Sequence, residues 1–354
     1  MSRPLSVGIV GVGAIARDEH LPGWLALEHV RVDAVADTSA AARESVAQRF
    51  GVAATFADHR ELLAKTDVDI VDICLPSALH AQVAIDCLAA GRHVYCEKPM
   101  ATCLPDALAM LAAAQQSGRK LMVAQCFRYA PSVLMLREYL HRFPLGDVYY
   151  ARAQWLRRRR VPARPGFTER RLSGGGPLFD LGVHLFDLAW WLIGCPAPLS
   201  VSGATFDRLI QRDDLGGEWG QWDPASTDVE DFAVGQVRFA GGAVLTLETS
   251  WLAFQAEREM KRLELYGTQG GAVWPDNVLT GERNRKPWDL RLAPATGRNM
   301  YHAAIAAFAQ AVVDDTPVPI PPWQTAAAIA VLDALSRSSA AGRELPVEPL
   351  PSAE

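Results

Sequence analysis

The sequence predicts an α/β protein whose N-terminal part forms a doubly wound parallel sheet, followed by an α+β domain with a mainly antiparallel sheet. Up to about residue 125, short β-branched runs alternate with amphipathic stretches, which is the pattern of βαβ units. After residue 146 the strand-like runs are longer, and Gly241-Gly242 marks a hairpin turn between two of them. We therefore place the domains at residues 1–125 and 126–354.

Length and composition limit the class of protein. At roughly 150 residues per domain, 354 residues suggest two or three domains. Hydrophobic residues make up 49% and charged residues 21%, which is the balance of a globular rather than a disordered chain. A net charge of −5 disfavours a general nucleic-acid surface. No apolar run reaches the roughly 18 residues of a membrane helix, because Asp187 interrupts the best candidate.

The N-terminus and the cysteines predict a cytoplasmic protein. The chain enters a strand directly after Met1-Ser2-Arg3-Pro4, which leaves no room for a signal peptide. The six cysteines include no C-x-x-C pair, so we expect reduced residues, most of them in the core. We predict no metal site, because no metal-ligand spacing with cysteines or carboxylates is seen for His20, His80, His93 and His302.

The first domain is expected to contain six strands joined by helices. The run from Val68 to Cys74 carries Asp69 and Asp72, so we expect that this strand is not fully buried. The helical stretches lie near 14–27, 39–50, 58–64, 78–90 and 104–117. The predicted strands are Leu5 to Val10, Val30 to Ala36, a weak run near Ala53 to Phe56, Val68 to Cys74, His93 to Cys96 and Leu121 to Ala124.

The second domain is expected to contain four long strands and two closing helices. A Gly- and Asp-rich stretch at 207–228 predicts an excursion loop, and the helices lie at 300–314 and 323–341. The predicted strands are Val148 to Trp155, Leu199 to Phe206, Phe232 to Phe239 and Ala243 to Trp251.

The first βα turn matches the dinucleotide fingerprint. Gly11-x-Gly13-x-x-Ala16 directly follows a strand and includes Ile15. Gly11 permits the tight turn, Gly13 lets the backbone approach a pyrophosphate, and Ala16 allows close packing of helix on strand. Asp37 ends the second strand, where a carboxylate can accept both adenosine-ribose hydroxyls and would repel a 2′-phosphate. We therefore predict NAD rather than NADP as the cofactor.

Other polar residues gather at one edge of the predicted sheet. Pro76, Glu97 and Gln125 each follow a different strand, as Gly11 and Asp37 do. In an open doubly wound sheet, ligands bind at this carboxyl edge.

Lys98 follows Glu97 at the same edge. Only five of the 35 basic residues are lysines, so this one appears where arginine is the rule. Unlike arginine, lysine can have its pKa lowered enough to move a proton near neutral pH. The alternative is an ordinary Glu97–Lys98 surface pair.

A further candidate site begins at Gly174-Gly175-Gly176. Asp180, His184 and Asp187 fall at i, i+4 and i+7 of an apolar and therefore buried helix. One interpretation is an internal Asp–His pair that holds the core, and the other is an acid/base histidine aligned by a carboxylate. The three glycines suggest that the backbone passes close to something, for which the cofactor is one candidate.

Four consecutive arginines, Arg157 to Arg160, end the strand that begins at Val148. Alternation would send Arg157 and Arg159 to one face and the other two to the opposite face. A solvated strand end or a salt-bridged subunit contact is one interpretation, and contact of one arginine with a substrate is the other.

Taken together, these residues resemble the glucose–fructose oxidoreductase/inositol dehydrogenase (Gfo/Idh/MocA) family. The resemblance covers nearly the whole chain, and Glu-Lys-Pro followed by Asp-x-x-x-His is its specific part. The matching motifs are Gly11-x-Gly13-x-x-Ala16, Cys74-Leu75-Pro76-x-x-x-His80, Glu97-Lys98-Pro99, Arg128-Tyr129-x-Pro131, Gly174 to Asp187 with Asp180 and His184, and Gly267-Thr268 after a strand.

The resemblance implies a Rossmann domain followed by an α/β domain whose open sheet face mediates dimers or tetramers. It also implies a catalytic Lys98, completed by Asp180 and His184, and often a cis peptide before Pro99. We accordingly assign cofactor binding to Gly11, Gly13, Ile15, Ala16, Asp37, Pro76, His80, Glu97 and Gln125.

The leading functional hypothesis is an NAD-dependent dehydrogenase acting on a secondary alcohol of a sugar, glycoside or cyclitol. Either Lys98 or His184 would take the hydroxyl proton while the other polarises the oxygen, and Asp180 would orient the pair. An NAD-dependent glycosidase that uses transient oxidation and elimination is a second hypothesis, against which Lys98 counts. A non-catalytic nucleotide-binding regulator is a third, disfavoured because all three residues are present.

We also predict a homodimer or homotetramer, with a small-molecule substrate and with neither nucleic acid nor membrane as a partner. The strands of the second domain would otherwise leave an apolar sheet face in water. We expect that face to include Trp155, Phe239, Leu245 and Trp251.

Overall fold

Two β-sheets organise the chain, one in each of two units. The computed structural model describes residues 3–164, 166–293 and 296–350. The first unit consists of the residues up to Tyr129 together with Arg298–Ala326, and the second of Ala130–Gly297 with the residues from Ala327 onward.

The sequence-predicted elements are present, together with several that the sequence did not indicate. The strands are β1 (Leu5–Val10), β2 (Val30–Ala36), β3 (Ala54–Phe56), β4 (Ile70–Ile73), β5 (His93–Cys96), β6 (Leu121–Val123), β7 (Val148–Arg157), β8 (Pro198–Phe206), β9 (Phe232–Phe239), β10 (Val244–Ser250), β11 (Glu259–Gly267), β12 (Gly270–Trp274), β13 (Val278–Arg283), β14 (Lys286–Arg291) and β15 (Leu345–Pro346). The helices are α1 (Leu21–Leu25), α2 (Ala40–Phe50), α3 (His59–Lys65), α4 (His80–Ala89), α5 (Leu104–Ser117), α6 (Pro131–Arg142), α7 (Arg170–Ser173), α8 (Val183–Leu192), α9 (Met300–Val313) and α10 (Pro322–Ala341).

The first unit confirms the predicted doubly wound sheet. Its six strands are all parallel, in the order β3-β2-β1-β4-β5-β6. Local chemistry starts the helices where the sequence places them: the Ser39 hydroxyl accepts the N–H of Ala42 at 3.2 Å, and Asp58 accepts the N–H of Arg60 at 2.7 Å. The first helical stretch is divided into a π-helical turn, Ala16–His20, and α1.

The chain returns to the first unit through α9, which differs from the contiguous division at residue 125. The reason is packing. Phe308 on α9 lies against Trp24 and Tyr95, with ring centroids 6.5 and 5.4 Å apart, in the core cluster that includes Ile9 of β1. The apolar face of α9 therefore completes a core that the first 129 residues leave open.

The second unit contains a nine-stranded sheet in the order β14-β13-β12-β11-β7-β10-β9-β8-β15. Only the pairing of β7 with β10 is parallel, which confirms the mainly antiparallel prediction. The β13–β14 hairpin was not predicted, because its strands are polar and half exposed. Its turn uses Asn284 and Arg285 at φ 55° and 62°, without a glycine to mark it.

One prediction about the second sheet is wrong. Trp155, Phe239, Leu245 and Trp251 do not lie on an exposed face, since all four are at most 7% exposed. Alternate residues of these strands point to opposite faces, and these four belong to the face that forms the core. The opposite face carries partly exposed and more polar side chains, including Tyr150, Arg152, Thr246, Glu248 and Tyr266.

Among the helices of the described residues, none combines the length and the apolar character that crossing a bilayer requires. The cysteines are free, and Cys74, Cys87, Cys96 and Cys126 are buried, as predicted.

Candidate active site

The fingerprint turn has the geometry that a dinucleotide requires. Gly11 adopts φ 88°, and a Cβ there would lie 2.5 Å from the carbonyl oxygen of Cys74. A Cβ on Gly13 would meet no described atom within 4 Å, so the backbone on that side is open to a ligand. Ala16 is fully buried against the core, while Ile15 is half-buried. This arrangement gives a phosphate access to backbone N–H groups.

Asp37 is held against the same turn. One carboxylate oxygen accepts the N–H of Val12 at 2.9 Å, and the other accepts the N–H of Ser39 at 2.8 Å. The carboxylate is half-buried and joins the end of β2 to the turn after β1. The position fits the role predicted from the sequence, a carboxylate beside the adenosine ribose.

The predicted edge residues follow neighbouring strands of the parallel sheet. Pro76, Glu97 and Gln125 come after β4, β5 and β6, which lie side by side, so all three leave the same edge. Gln125 is 1% exposed, and its side-chain oxygen and nitrogen have no hydrogen-bond partner among the described residues. Buried amides are almost always hydrogen-bonded, so this one is suited to a ligand group. The residues of this edge fit NAD.

His80 joins two loops of this edge. Its ring nitrogens lie 2.8 Å from the carbonyl oxygens of Pro99 and Leu75. The Lys98–Pro99 peptide is cis, as the resemblance implied. Because both polar atoms of the ring are occupied by backbone, the assignment of His80 to cofactor binding stays a prediction.

A buried network under Glu97 was not anticipated from the sequence. The ring of His20 lies between two carboxylates: Nδ1 is 2.8 Å from Asp72 and Nε2 is 2.9 Å from Glu97. The second oxygen of Glu97 accepts the N–H of Lys98 at 3.1 Å. Trp24 donates its indole N–H to Asp72 at 2.7 Å. The network thus ties the π-helical turn to β4 and to the backbone of Lys98.

The expectation that the run from Val68 to Cys74 is incompletely buried holds for Asp69, which is half-buried, but not for Asp72. Every residue of β4 is buried, and Asp72 is 0% exposed because its carboxylate is paired with His20. Burial alone would lower the pKa of His20, but the charges of Asp72 and Cys74 and the hydrogen bonds to them together outweigh burial and raise that pKa well above its ordinary value. Burial also opposes ionisation of Glu97, yet the hydrogen bond from His20 lowers the pKa of that carboxyl. His20 is therefore an imidazolium that donates one N–H to Asp72 and the other to Glu97.

Among the described residues, this cluster contains three side-chain atoms that could coordinate a metal ion. Atoms of His20, Asp72 and Cys74 all lie within 4.8 Å of one another. Burial raises the pKa of the Cys74 thiol to about 12, so the thiol is protonated in the metal-free protein. The hydrogen bonds above account for the cluster without an ion, and the absence of a metal site stays a prediction.

In the second unit, Asp180 and His184 lie where the chain enters α8. Asp180 belongs to a π-helical turn, Leu178–Gly182, and accepts the indole N–H of Trp251 at 3.0 Å. The guanidinium of Arg157 lies 3.9 Å from the same oxygen. His184 is 6% exposed and packs on Trp155, with ring centroids 6.1 Å apart. The helix is buried as predicted, and Asp187 is buried with it.

The last of the three glycines, Gly176, is explained by a neighbour within the second unit. A Cβ on Gly176 would lie 2.0 Å from the carbonyl oxygen of Glu230. The Glu230 carboxylate accepts the N–H groups of Gly176 and Leu178 at 2.9 and 3.1 Å. Burial raises the pKa of this carboxyl. The close approach that the glycines indicated is thus to the chain before β9, a partner that the sequence did not identify, and this contact positions the turn that carries Asp180.

The arginine run makes ion pairs within the second unit. Glu259 on β11 accepts a hydrogen bond from Arg157 at 2.9 Å and another from Arg160, and it also binds the indole N–H of Trp155 at 2.6 Å. Burial opposes ionisation of Glu259, but these donors lower its pKa. Because β7 ends at Arg157, strand alternation does not apply to the rest of the run.

Comparison with known proteins supports both parts of the chain. Residues 5–125 match the family described as an oxidoreductase family with an NAD-binding Rossmann fold, and residues 133–273 match the GFO/IDH/MocA C-terminal domain. The D-glucoside 3-dehydrogenase of Escherichia coli K12 is 33% identical over 280 residues, covering 79% of this chain and 80% of that protein. The levoglucosan dehydrogenase of Pseudarthrobacter phenanthrenivorans is 28% identical, covering 76% of this chain and 73% of that protein.

A solved structure agrees over almost the whole length. GenD2 from gentamicin A biosynthesis, crystallised in complex with NAD, has a TM-score of 0.81 and is 28% identical, covering 99% of this chain and 98% of that one. The motifs, the two sheets and these matches lead to one assignment. The chain belongs to the Gfo/Idh/MocA family of NAD-dependent oxidoreductases.

Proposed function

We propose that this enzyme oxidises a secondary alcohol of an uncharged sugar, glycoside or cyclitol, or reduces the corresponding ketone. The observation that carries the proposal is that Lys98 leaves the same sheet edge as the fingerprint turn and Gln125. The names of relatives support the substrate class, since one is a D-glucoside 3-dehydrogenase and another a levoglucosan dehydrogenase.

Residues 1–125 are assigned to the cofactor. Gly11, Gly13, Ile15 and Ala16 would face its phosphates, Asp37 its adenosine ribose, and Pro76, Glu97 and Gln125 the part nearer the reaction. When bound, NAD supplies the hydride acceptor. The second unit is assigned to substrate binding and oligomerisation.

Lys98, Asp180 and His184 are proposed as the catalytic residues. The alcohol proton must leave as the carbinol carbon is oxidised, and an amine or an imidazole can accept it. The backbone of Lys98 is fixed by Glu97, and Asp180 is fixed by Trp251 and Arg157, so both side chains start from anchored positions.

The test is oxidation of a panel of sugars, followed by absorbance of NADH. The panel contains D-glucose, D-xylose, methyl α- and β-D-glucopyranoside, levoglucosan, myo-inositol and scyllo-inositol. On an oxidised member, Lys98→Met should lower kcat by about 10²–10⁴-fold and leave NADH affinity within a few-fold. His184→Ala should behave similarly, and the double variant should be less than additive. A Lys98→Met enzyme with near-normal kcat would show that the lysine is structural.

An NAD-dependent glycosidase is the second candidate, since its chemistry also begins with oxidation of a sugar hydroxyl. The two functions differ in the net amount of NADH formed for each sugar converted. A dehydrogenase forms one NADH for each sugar oxidised, whereas the glycosidase releases a free sugar from methyl β-D-glucopyranoside with no net NADH. Product analysis of that reaction by NMR distinguishes them.

The same proposal includes a cytoplasmic location and a homodimer or homotetramer. The assembly is supported by the partly exposed face of the second sheet, where the rings of Tyr150 and Tyr266 lie 5.5 Å apart beside the Arg152–Glu248 ion pair. Tyrosine and arginine are both enriched at protein–protein interfaces relative to the rest of the surface.

A further inference from the structure

The arginine run fastens a long loop to the end of β7. This loop, residues 207–231 between β8 and β9, has its own small core in which Trp222 donates its indole N–H to the carbonyl of Ile210 at 2.7 Å. Arg159 exchanges two hydrogen bonds with it: its side chain donates to the carbonyl of Gly216 at 2.9 Å, and its carbonyl accepts the N–H of Glu218 at 2.8 Å. The loop is therefore tied down on the strand end that also carries Arg157.

Glu218 makes this attachment ionic. Its carboxylate accepts Arg160 at 3.1 Å and Arg258 at 2.9 Å. Hydrogen bonds from Arg258 and Arg160 lower the pKa of Glu218, so the carboxylate is ionised at neutral pH. The next residue, Trp219, therefore extends from an anchored backbone.

Trp219 is exposed and yet held by cations. The guanidinium carbons of Arg157 and Arg160 lie 4.7 and 5.4 Å from the centroid of its ring, within cation–π distance. Even so, 47% of the residue remains accessible, an unusual state for so large an apolar side chain. Fixing an indole at the surface in this way is useful where a ligand packs on it.

The position of the ring relates it to the proposed catalytic residues of the second unit. Arg157 lies between two indoles, since its guanidinium is also 4.9 Å from the ring of Trp155, on which His184 packs. The same guanidinium is 3.9 Å from Asp180. Trp219 and Asp180 thus contact one guanidinium group.

The charges around Trp219 indicate whether an anionic or an uncharged ligand would bind there. Arg157 is matched by Glu259 and Asp180, and Arg160 by Glu218 and Glu259. An anionic sugar would have to displace a carboxylate from either guanidinium. An uncharged ring would not, and its C–H groups suit the negative face of an indole.

We propose that Trp219 is a substrate-binding residue, whose accessible indole surface packs on the C–H face of an uncharged pyranose or cyclitol ring. Arg157 and Arg160 are positioning residues that orient the indole. The inference rests on the proposed function, because it takes Asp180 and His184 as the groups at which the substrate reacts.

The experiment compares Trp219→Ala and Trp219→Phe with the wild type. The control is Tyr149→Ala, another exposed aromatic residue on β7, about 26 Å from Arg157 at the rise of an extended strand. Probes are the panel sugars that the wild type oxidises, together with D-glucuronate and D-glucose 6-phosphate. Binding is measured by calorimetry in the presence of saturating NADH, which prevents turnover.

For Trp219→Ala we expect KM and the sugar Kd to rise about tenfold while kcat stays within twofold. Trp219→Phe, which keeps an aromatic face, should recover most of the affinity, and Tyr149→Ala should match the wild type. Neither anionic sugar should be bound more tightly than D-glucose. Should the alanine variant fail to fold, as judged by circular dichroism, Trp219→Gln replaces it.

Two kinds of failure can be separated. A wild type that oxidises and binds no member of the panel contradicts the proposed function itself. If the wild type is active but Trp219→Ala keeps KM and Kd within twofold, or lowers only kcat, the proposed function stands and the role of Trp219 is wrong. Tighter binding of an anionic sugar than of D-glucose would also overturn it, because the arginines would then be the ligand site.

Discussion

We propose that the choice between NAD and NADP depends on Asp37. Its carboxylate is anchored by the N–H groups of Val12 and Ser39 beside the fingerprint turn. A hydrogen bond to a charged group contributes about 1.5–3 kcal/mol, and loss of the charge also removes repulsion of a 2′-phosphate. Asp37→Ser should therefore weaken NADH binding by about tenfold to a hundredfold. It should also reduce the ratio of the affinity for NADH to the affinity for NADPH.

Calorimetry with both reduced cofactors measures this. Asp33→Ser is the matched control, because Asp33 lies on the same strand and pairs with Ser6 and Arg31. A wild type that binds NADPH more tightly than NADH would contradict the role given to Asp37.

The same added methyl group should affect stability at one glycine and NADH binding at another. A Cβ at Gly13 meets no described atom, whereas one at Gly176 would lie 2.0 Å from the carbonyl oxygen of Glu230. Gly176→Ala should lower the free energy of unfolding by about 2–4 kcal/mol, since backbone must move. Gly13→Ala should change it by less than about 1 kcal/mol while weakening NADH binding at least tenfold.

Urea unfolding and calorimetry of the two variants test this pair, and each variant is the control for the other. Equal loss of stability in both would mean that the space at Gly13 is not available to a ligand.

At the scale of elements, the His20 network joins the π-helical turn to β4 and β5. The pKa of His20 is raised in the folded protein, so between about pH 6.5 and that raised value the native state binds a proton that the unfolded chain releases. The contribution of His20 protonation to the free energy of unfolding is fully present below about pH 6.5. It falls by about 1.4 kcal/mol per pH unit as the pH rises toward the pKa of the folded state.

We expect the ring NMR signals of His20 to titrate at a pH well above that of an ordinary histidine. Asp72→Asn removes the main source of the raised pKa and should bring the titration of His20 to lower pH. The control is Asp86→Asn, which alters a half-exposed carboxylate paired with His59. An unmodified protein in which His20 titrates near its ordinary value would refute the imidazolium assignment.

At the scale of the whole molecule, we expect a mass of two or four times 38.5 kDa by light scattering at micromolar concentration. The reason is the sheet face with Tyr150 and Tyr266, not the tryptophans that the sequence suggested. Tyr150→Glu should shift the mass toward that of one chain, because it places a charge on this face. Phe254→Glu, at a residue 76% exposed outside the sheet, is the control. A monomeric wild type would exclude the assembly.

The parts of this protein that depend on local chemistry could be predicted from the amino-acid sequence. The six parallel strands, the fingerprint turn from Gly11 to Ala16, and the buried helix carrying His184 could all be recognised. Each has a signature within a few residues: a periodicity, a glycine that only a tight turn requires, or a capping side chain. The gathering of Pro76, Glu97 and Gln125 at one sheet edge also followed, because the carboxyl ends of parallel strands lie at the same edge.

Contacts between residues far apart in the sequence became known from the folded structure. Period-two alternation shows that a strand has two faces, but not which face is covered, so Trp155 and Leu245 were placed on the wrong one. An acid in a strand indicates exposure until a partner 52 residues away, His20 for Asp72, supplies the opposite charge. The arginine run likewise acquired its meaning from Glu259 and Glu218, about a hundred and about sixty residues distant. Such contacts depend on packing and on pairing of buried charges, and neither is encoded in any short stretch of sequence.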